Sequence, residues 1–249
     1  MKRRFDKNEP ELMDRPQPVT PELRVDLENL VSLNARFGSH RVMRRFLSAW
    51  LNPGRCYRVL DLCTGAGDLP RVMLDWARPR DIVLRITAVD ANASTLEIAR
   101  QQSGEYPEIR YEQADVLRYE SSETYDLVCC SLALHHFSEE DAIRLLRCCR
   151  EHSHRFVFVS DLERSLATTV GVWALTALAY REEMTRIDAR LSAERAFSFR
   201  EFRALAEAAG WQDYGHARFF FCRQALWLDS RTTVPIEPDA IPESFPSPA

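Results

Sequence analysis

Apolar and polar positions along this chain alternate between two kinds of period. Val59, Leu60 and Leu62 form a short apolar run, as a strand buried on both faces requires. The run meets Gly65 and Gly67, after which Leu69, Val72, Met73 and Trp76 recur at helical spacing. Pro70 stands where proline opens a helix, and Pro79 closes the segment. The same succession repeats. Leu84 to Asp90 reads as a second strand, with a helix starting at Asn92 to Ser94, Ser94 and Glu97 at capping-box spacing and Gly104 as the stop. Ile109 to Asp115 and Tyr125 to Leu132 predict strands three and four, the latter followed by His135, His136 and a helix beginning near Ser138. Phe156 to Ser160, ending near Asp161, predicts the fifth. Strands alternating with helices five times call for an α/β, doubly wound, mostly parallel sheet with helices on both faces.

Outside this core the period changes. Residues 22–50 are helical in pattern, with Leu23, Leu27 and Leu30 on one stripe and Val42, Met43, Phe46 and Trp50 on another, a cap able to fold over the ligand edge. Residues 162–197 form a helical insertion, within which Leu166 to Tyr180 is apolar nearly all round. Such a helix must be buried, either as a core or homodimer helix or as a lid over an apolar ligand. Ser198 and Glu201 repeat the capping box, and Gly210 ends that helix. Trp211 to Phe221 and Cys222 to Asp229 read as an antiparallel C-terminal edge hairpin, which completes seven strands. Residues 1–21 read as a flexible N-terminal tail, and 231–249, with five prolines between 235 and 248, as a disordered or draped one. The division is thus one domain over 22–230 between two tails.

Composition narrows the function. A net charge of −4 lacks the basic field of a nucleic-acid surface. No run of 18 or more apolar residues spans a membrane, and no apolar signal core follows the basic start, so the expected compartment is the cytoplasm. The seven cysteines lack metal spacing, and adjacent pairs such as Cys129 and Cys130 point to opposite sides of a strand. They read as packing residues of a reducing compartment.

The candidate chemistry sits at strand ends. A strand, a two-glycine turn and a helix form either a tight connection or a nucleotide-type ligand loop. Asp90, 23 residues beyond Gly67, favours the ligand, since a carboxylate there can accept both hydroxyls of a ribose. His135 and His136 follow the fourth strand at the edge where ligands bind, and either ring can act as a base or be an ordinary loop residue. Continued extension points them apart, so that at most one faces a substrate. Asp161 is a weaker base candidate. His152 and His154 form an H-x-H without a third ligand nearby, so no metal site is expected. Arg36 and Arg41 serve either an acidic ligand group or a solvated helix face.

These ordered motifs resemble the Rossmann-like, class I S-adenosylmethionine-dependent methyltransferases over roughly residues 25–228. The resemblance implies S-adenosylmethionine as cofactor and a residue-by-residue site. Asp61, Thr64, Gly65 and Gly67 would wrap its methionine part, with Arg41 a partner for the carboxylate. Asp90 would hold the ribose, with Ala91 beside the adenine. Asp115 and the Val116 backbone would take the adenine amino group, and Ser131 and Leu132 would line the methionyl side. Asp68 replaces the family's third glycine. Segments 33–41, 131–137 and 159–165 are similar to bacterial small-molecule methyltransferases, including those of quinone biosynthesis.

A sulfonium methyl is already activated, so the resemblance implies in-line displacement onto oxygen or carbon of a small, apolar aromatic, phenolic or quinone-like acceptor. Such a step needs no metal, and His135 or His136 would be the base. The alternatives are a nicotinamide-dependent oxidoreductase, which shares the turn and the ribose acid, and a non-catalytic cofactor-binding module.

Overall fold

Strand β1 (Arg55–Leu62) is buried on both faces from Val59 onward and lies inside a seven-stranded sheet in the computed structural model, which describes residues 1–230. The proline-rich tail expected over 231–249 lies outside the described residues. Two helices precede β1, α1 (Pro21–Arg36) and α2 (Ser39–Trp50), and then helices and strands alternate as the sequence predicts. The order is α3 (Asp68–Ala77), β2 (Ile82–Asp90), α4 (Ala93–Gln102), β3 (Ile109–Gln113), β4 (Tyr125–Ser131), α5 (Glu139–His152) and β5 (Ser153–Leu162). The helical insertion follows as α6 (Leu166–Ala179) and α7 (Glu183–Arg195), and α8 (Phe199–Ala208), β6 (Gly215–Phe219) and β7 (Arg223–Asp229) close the chain.

The sheet order is β3-β2-β1-β4-β5-β7-β6. The first five strands pair in parallel, and β7 runs antiparallel between β5 and the edge strand β6. Chain order reverses between β1 and β4, the point at which ligands bind in open α/β sheets. Alternate residues feed two cores. Leu60, Val128, Cys130 and Val159 pack with α5 and α8, and Val59, Leu127, Cys129 and Phe158 pack with α2 and α3. Cys129 and Cys130 therefore occupy opposite cores, as their adjacency in a strand dictates. Phe46 and Trp50 of α2 rest on Phe158 and Phe156, with ring centroids 4.7 and 4.8 Å apart. Helix α2 is thus part of the core, and only α1 reaches over the ligand edge.

Two local expectations change. Asn92, not Ser94, caps α4, its side chain accepting from the backbone of Ser94 and Thr95, and the Ser94 hydroxyl donates instead to the Gln17 carbonyl. Residues 1–21, expected as a flexible tail, pack against α7 and the end of β4. The backbone N–H groups of Leu12 and Met13 donate to the Asp188 carboxylate at 2.8 and 2.9 Å. Arg3 donates to the carbonyls of His135 and Phe137 at 3.0 and 2.7 Å and lies over the Phe197 ring. This segment has no periodicity because long-range hydrogen bonds, not an apolar face, fix it.

Candidate functional site

The loop after β1 runs through the left-handed region at Cys63, Gly65 and Gly67 (φ 59°, 55° and 68°), which turns the chain sharply into α3. Backbone strain at Cys63, a non-glycine residue, is placed at the sheet's switch point. The Thr64 N–H donates to the Val89 carbonyl and the Gly65 N–H to Asp90 Oδ2, both at 2.9 Å. Asp90 Oδ1 accepts from the Asn92 N–H at 2.9 Å, so this carboxylate joins the ends of β1 and β2. Burial raises the Asp90 pKa, against the two backbone donors.

Gly67 has a packing duty that the glycine motif did not reveal. A Cβ there would lie 2.1 Å from the Tyr111 hydroxyl, and Gly67 itself does not line the cavity, whereas Thr64, Gly65 and Ala66 do. Asp61 is fully buried beside a small recess shared with Asn34, His40, Thr64, Asp68 and Ser131. Its Oδ1 accepts from the Cys129 thiol at 3.3 Å, while neither Asp61 Oδ2 nor the Thr64 hydroxyl makes a hydrogen bond. Burial pushes the Asp61 carboxyl up to about 7. Asp68 is paired with His40 Nε2 at 2.7 Å and accepts from Asn34 at 3.2 Å. Arg41 is not in the site. It lies on the exposed side of α2, because Val42, Met43 and Phe46 take the sheet-facing side, and the polar groups at this end are Asn34 and His40.

A cavity of about 550 Å³ opens above the ends of β1, β2, β4 and β5. Ala91, Asp115 and Val116 stand at its wall with Asp90. Ser131 and Leu132 also line it; Leu132 is left-handed at φ 56°, and the Ser131 hydroxyl is 2.8 Å from that of Ser160. Leu27, Leu30 and Val31 of α1 and Gly171, Val172 and Leu175 of α6 cover it. Helix α6 therefore presents one apolar face to the cavity, while Leu166, Val170, Trp173 and Leu178 on its other side are exposed. Arg223 also lines the cavity, its Nε donating to the Phe37 carbonyl at 3.3 Å, and burial lowers its pKa to about 10.

The two histidines share this cavity. After β4 the chain enters a 3₁₀ turn, Leu134–His136, which replaces the extended alternation and brings both rings to one side, with centroids 4.2 Å apart. Asp161 accepts from the His135 N–H at 2.9 Å and pairs with His135 Nδ1 at 2.7 Å. Burial opposes ionisation of Asp161, yet His135 and the backbone donors outweigh it and hold the carboxyl below its ordinary value. His136 Nδ1 pairs with Asp14 at 2.8 Å. Burial disfavours the charged His136 ring, but Glu11 and Asp14 overcome this and raise it to about 10. Each Nε2 is turned toward Glu11, at 3.8 Å from His135 and 3.9 Å from His136. Glu11 is buried and accepts from the Ser192 hydroxyl at 2.8 Å. Glu11, Asp14 and Arg223 were missing from the sequence reading. The acidic pair around Leu12 and Met13 was the one local trace, and it carries no period.

Comparison with known proteins finds methyltransferases. Residues 59–154 match a family model described as a methyltransferase domain. An 81-residue stretch is 40% identical to the 2-phytyl-1,4-naphtoquinone methyltransferase of Thermosynechococcus vestitus, covering 32% of this chain and 35% of that protein. The matched stretch thus spans about a third of that relative. In fold, the chain is similar to the plantazolicin methyltransferase BpumL, solved with S-adenosylhomocysteine, at TM-score 0.63 and 13% identity over 84% of this chain and 91% of the other. It is also similar to human N-acetylserotonin methyltransferase, solved with S-adenosylmethionine, at TM-score 0.59 and 16% identity over 82% and 54%. Residues 59–154 thus match a methyltransferase domain, and the chain shares its Rossmann-like fold with solved methyltransferases.

Proposed function

We propose that this protein methylates oxygen or carbon of a small, apolar aromatic acceptor of phenolic or quinone type, with no metal in the displacement step. The observation that carries this reading is a single apolar cavity reaching from Asp90 to the His135–Asp161 pair under the inner face of α6. Bound S-adenosylmethionine supplies a methyl group already activated on a sulfonium. The residues present fit that group at its amino-acid end: Asp61 Oδ2 is buried without a hydrogen bond, and an ammonium supplies both its missing partner and its missing countercharge.

Asp61, Thr64 and the Gly65 backbone would hold the methionine part, with Ser131 and Leu132 beside it. Asp90 keeps a lone pair on each oxygen after its two backbone bonds, enough for two ribose hydroxyls. Asp115 and Val116 would take the adenine. Asp90→Ala is expected to weaken S-adenosylhomocysteine binding by about 1–3 kcal/mol in calorimetric titration, as for loss of a charged acceptor. Asp90→Asn keeps one acceptor oxygen in place of two, so it loses either the Gly65 or the Asn92 N–H bond, and urea unfolding of both variants without ligand separates loop support from ligand contact. Wild-type affinity in both would remove Asp90 from the ribose site.

Beside the ends of β4 and β5, Asp161 fixes the His135 ring through Nδ1, which leaves Nε2 on the cavity side to take a proton from a phenol or enol. His136 is arranged likewise on Asp14, but Glu11 and Asp14 raise it to about 10, so its ring stays protonated and has no lone pair to offer. Holding two reactants in line supplies roughly 7–11 kcal/mol, and covering the cavity with α1 and α6 keeps water out. The naphthoquinone relative favours a bicyclic, hydrophobic acceptor. A panel of hydroquinones and phenols graded by hydrophobicity tests this: methyl transfer is expected to rise with apolar area, and turnover confined to charged acceptors would refute it. Among the described residues no helix is long and apolar enough to cross a membrane. The free thiols of all seven cysteines agree with the reducing, cytoplasmic setting we propose.

A further inference from the structure

Glu11, His135 and His136 present one oxygen and two nitrogen donors that all lie within 4.8 Å of one another. We propose that these three side chains form a binding site for one divalent cation of the zinc class, on the wall of the acceptor cavity. Three observations carry it. First, both rings aim the same atom, Nε2, at the same carboxylate, at 3.8 and 3.9 Å. Ligands at about 2.0–2.2 Å from a tetrahedral ion stand roughly 3.3 Å apart, so closure draws together donors that now lie within 4.8 Å of one another, by side-chain movements of up to about 1.5 Å. Second, each opposite ring nitrogen is already fixed by its own carboxylate, His135 Nδ1 on Asp161 at 2.7 Å and His136 Nδ1 on Asp14 at 2.8 Å. That outer pairing is how proteins orient metal-bound imidazoles and raise their basicity. Third, three carboxylates surround two rings, an excess of negative charge that a dication offsets.

The donor set selects the ion. Two imidazoles and one carboxylate suit zinc or its transition-metal neighbours, whereas calcium and magnesium require mostly oxygen ligands. His136 is 22% exposed while Glu11 and His135 are buried, so the remaining coordination position faces the cavity. Ion binding at His135 Nε2 and acceptance of a proton there exclude each other. Occupancy therefore removes the base from the proposed transfer reaction, a consequence that rests on the His135 reading above; the binding itself does not.

The test uses the full chain, stripped with chelator, without cofactor or acceptor, so that its failure says nothing about methyl transfer. Titration with zinc alone is expected to give one ion per chain. Glu11→Gln and His136→Asn should each weaken binding at least tenfold, and Asp14→Asn should weaken it on the order of tenfold through the outer pairing. His154→Ala, which removes one arm of the H-x-H at the start of β5, is the control and should bind as wild type does. Cobalt in place of zinc keeps the proposal testable if a variant fails to fold: nitrogen and oxygen ligation gives d–d bands without a strong thiolate charge-transfer band. No stoichiometric ion, a thiolate band from the cysteines, or wild-type affinity in Glu11→Gln overturns the proposal.

Discussion

His135→Ala is expected to lower methyl transfer by about 10²–10⁴-fold while S-adenosylhomocysteine binds with wild-type affinity. The size follows from removing a positioned proton acceptor. The selectivity follows from the partners, because the His135 ring pairs with Asp161 while Asp90 is held by the Gly65 and Asn92 N–H groups. His136→Ala retains that acceptor and is expected to be much less impaired, since Asp14 and Glu11 keep the His136 ring protonated. Single-turnover rates of the two variants at saturating acceptor decide the point. Equal rates, or a cofactor affinity that falls with His135, would contradict the assignment of the base.

The second large effect concerns Asp61 and pH. Its carboxyl is raised to about 7 from the usual 3.8, chiefly by burial, so the folded chain favours the protonated form more than the unfolded chain does. The contribution to stability is therefore intact below about pH 4, declines as pH rises toward 7, and is lost above it. At pH 8 the ionised carboxylate, buried with the Cys129 thiol as donor to Oδ1 and none to Oδ2, costs on the order of 4 kcal/mol. Asp61→Asn carries no such charge. In the ligand-free protein it should be more stable than wild type at pH 8, with the gap shrinking by about 2 kcal/mol at pH 5, in urea unfolding followed by circular dichroism. The same substitution should weaken S-adenosylhomocysteine binding, because the ammonium loses its countercharge. A stability gap that does not change with pH would show that Asp61 is not a strained acid held for a ligand.

Most of the fold was legible because its elements are locally consistent. Val59 to Leu62, the glycine turn and the Leu69 to Trp76 stripe each carry one period and one set of breakers, and the succession repeats until the sheet order has few alternatives. Asp90 was readable for the same reason, as the acid ending a strand at a set distance from the turn. Gly67 was readable as a glycine but not for its duty, since the Tyr111 hydroxyl beside it arrives from β3.

Residues whose place depends on long-range contact were not legible. Arg41 follows His40 directly, and which of the two faces the recess depends on how α2 lies on the sheet. Extended backbone puts adjacent histidines on opposite sides, and the 3₁₀ turn at Leu134–His136 reverses that outcome. Glu11 and Asp14 belong to a segment with no amphipathic period, held by Asp188, Ser192 and the histidines themselves. A polar stretch reads as a solvated tail until the groups that satisfy it are known. The fold was thus visible from neighbours in sequence, and the histidine side of the site only from neighbours in space.

Calorimetric titration of the full chain with S-adenosylhomocysteine and, separately, with NAD tests the central claim most directly. One molecule of S-adenosylhomocysteine bound per chain, with no heat from NAD, is the predicted result. Tight binding of NAD and none of S-adenosylhomocysteine would contradict it.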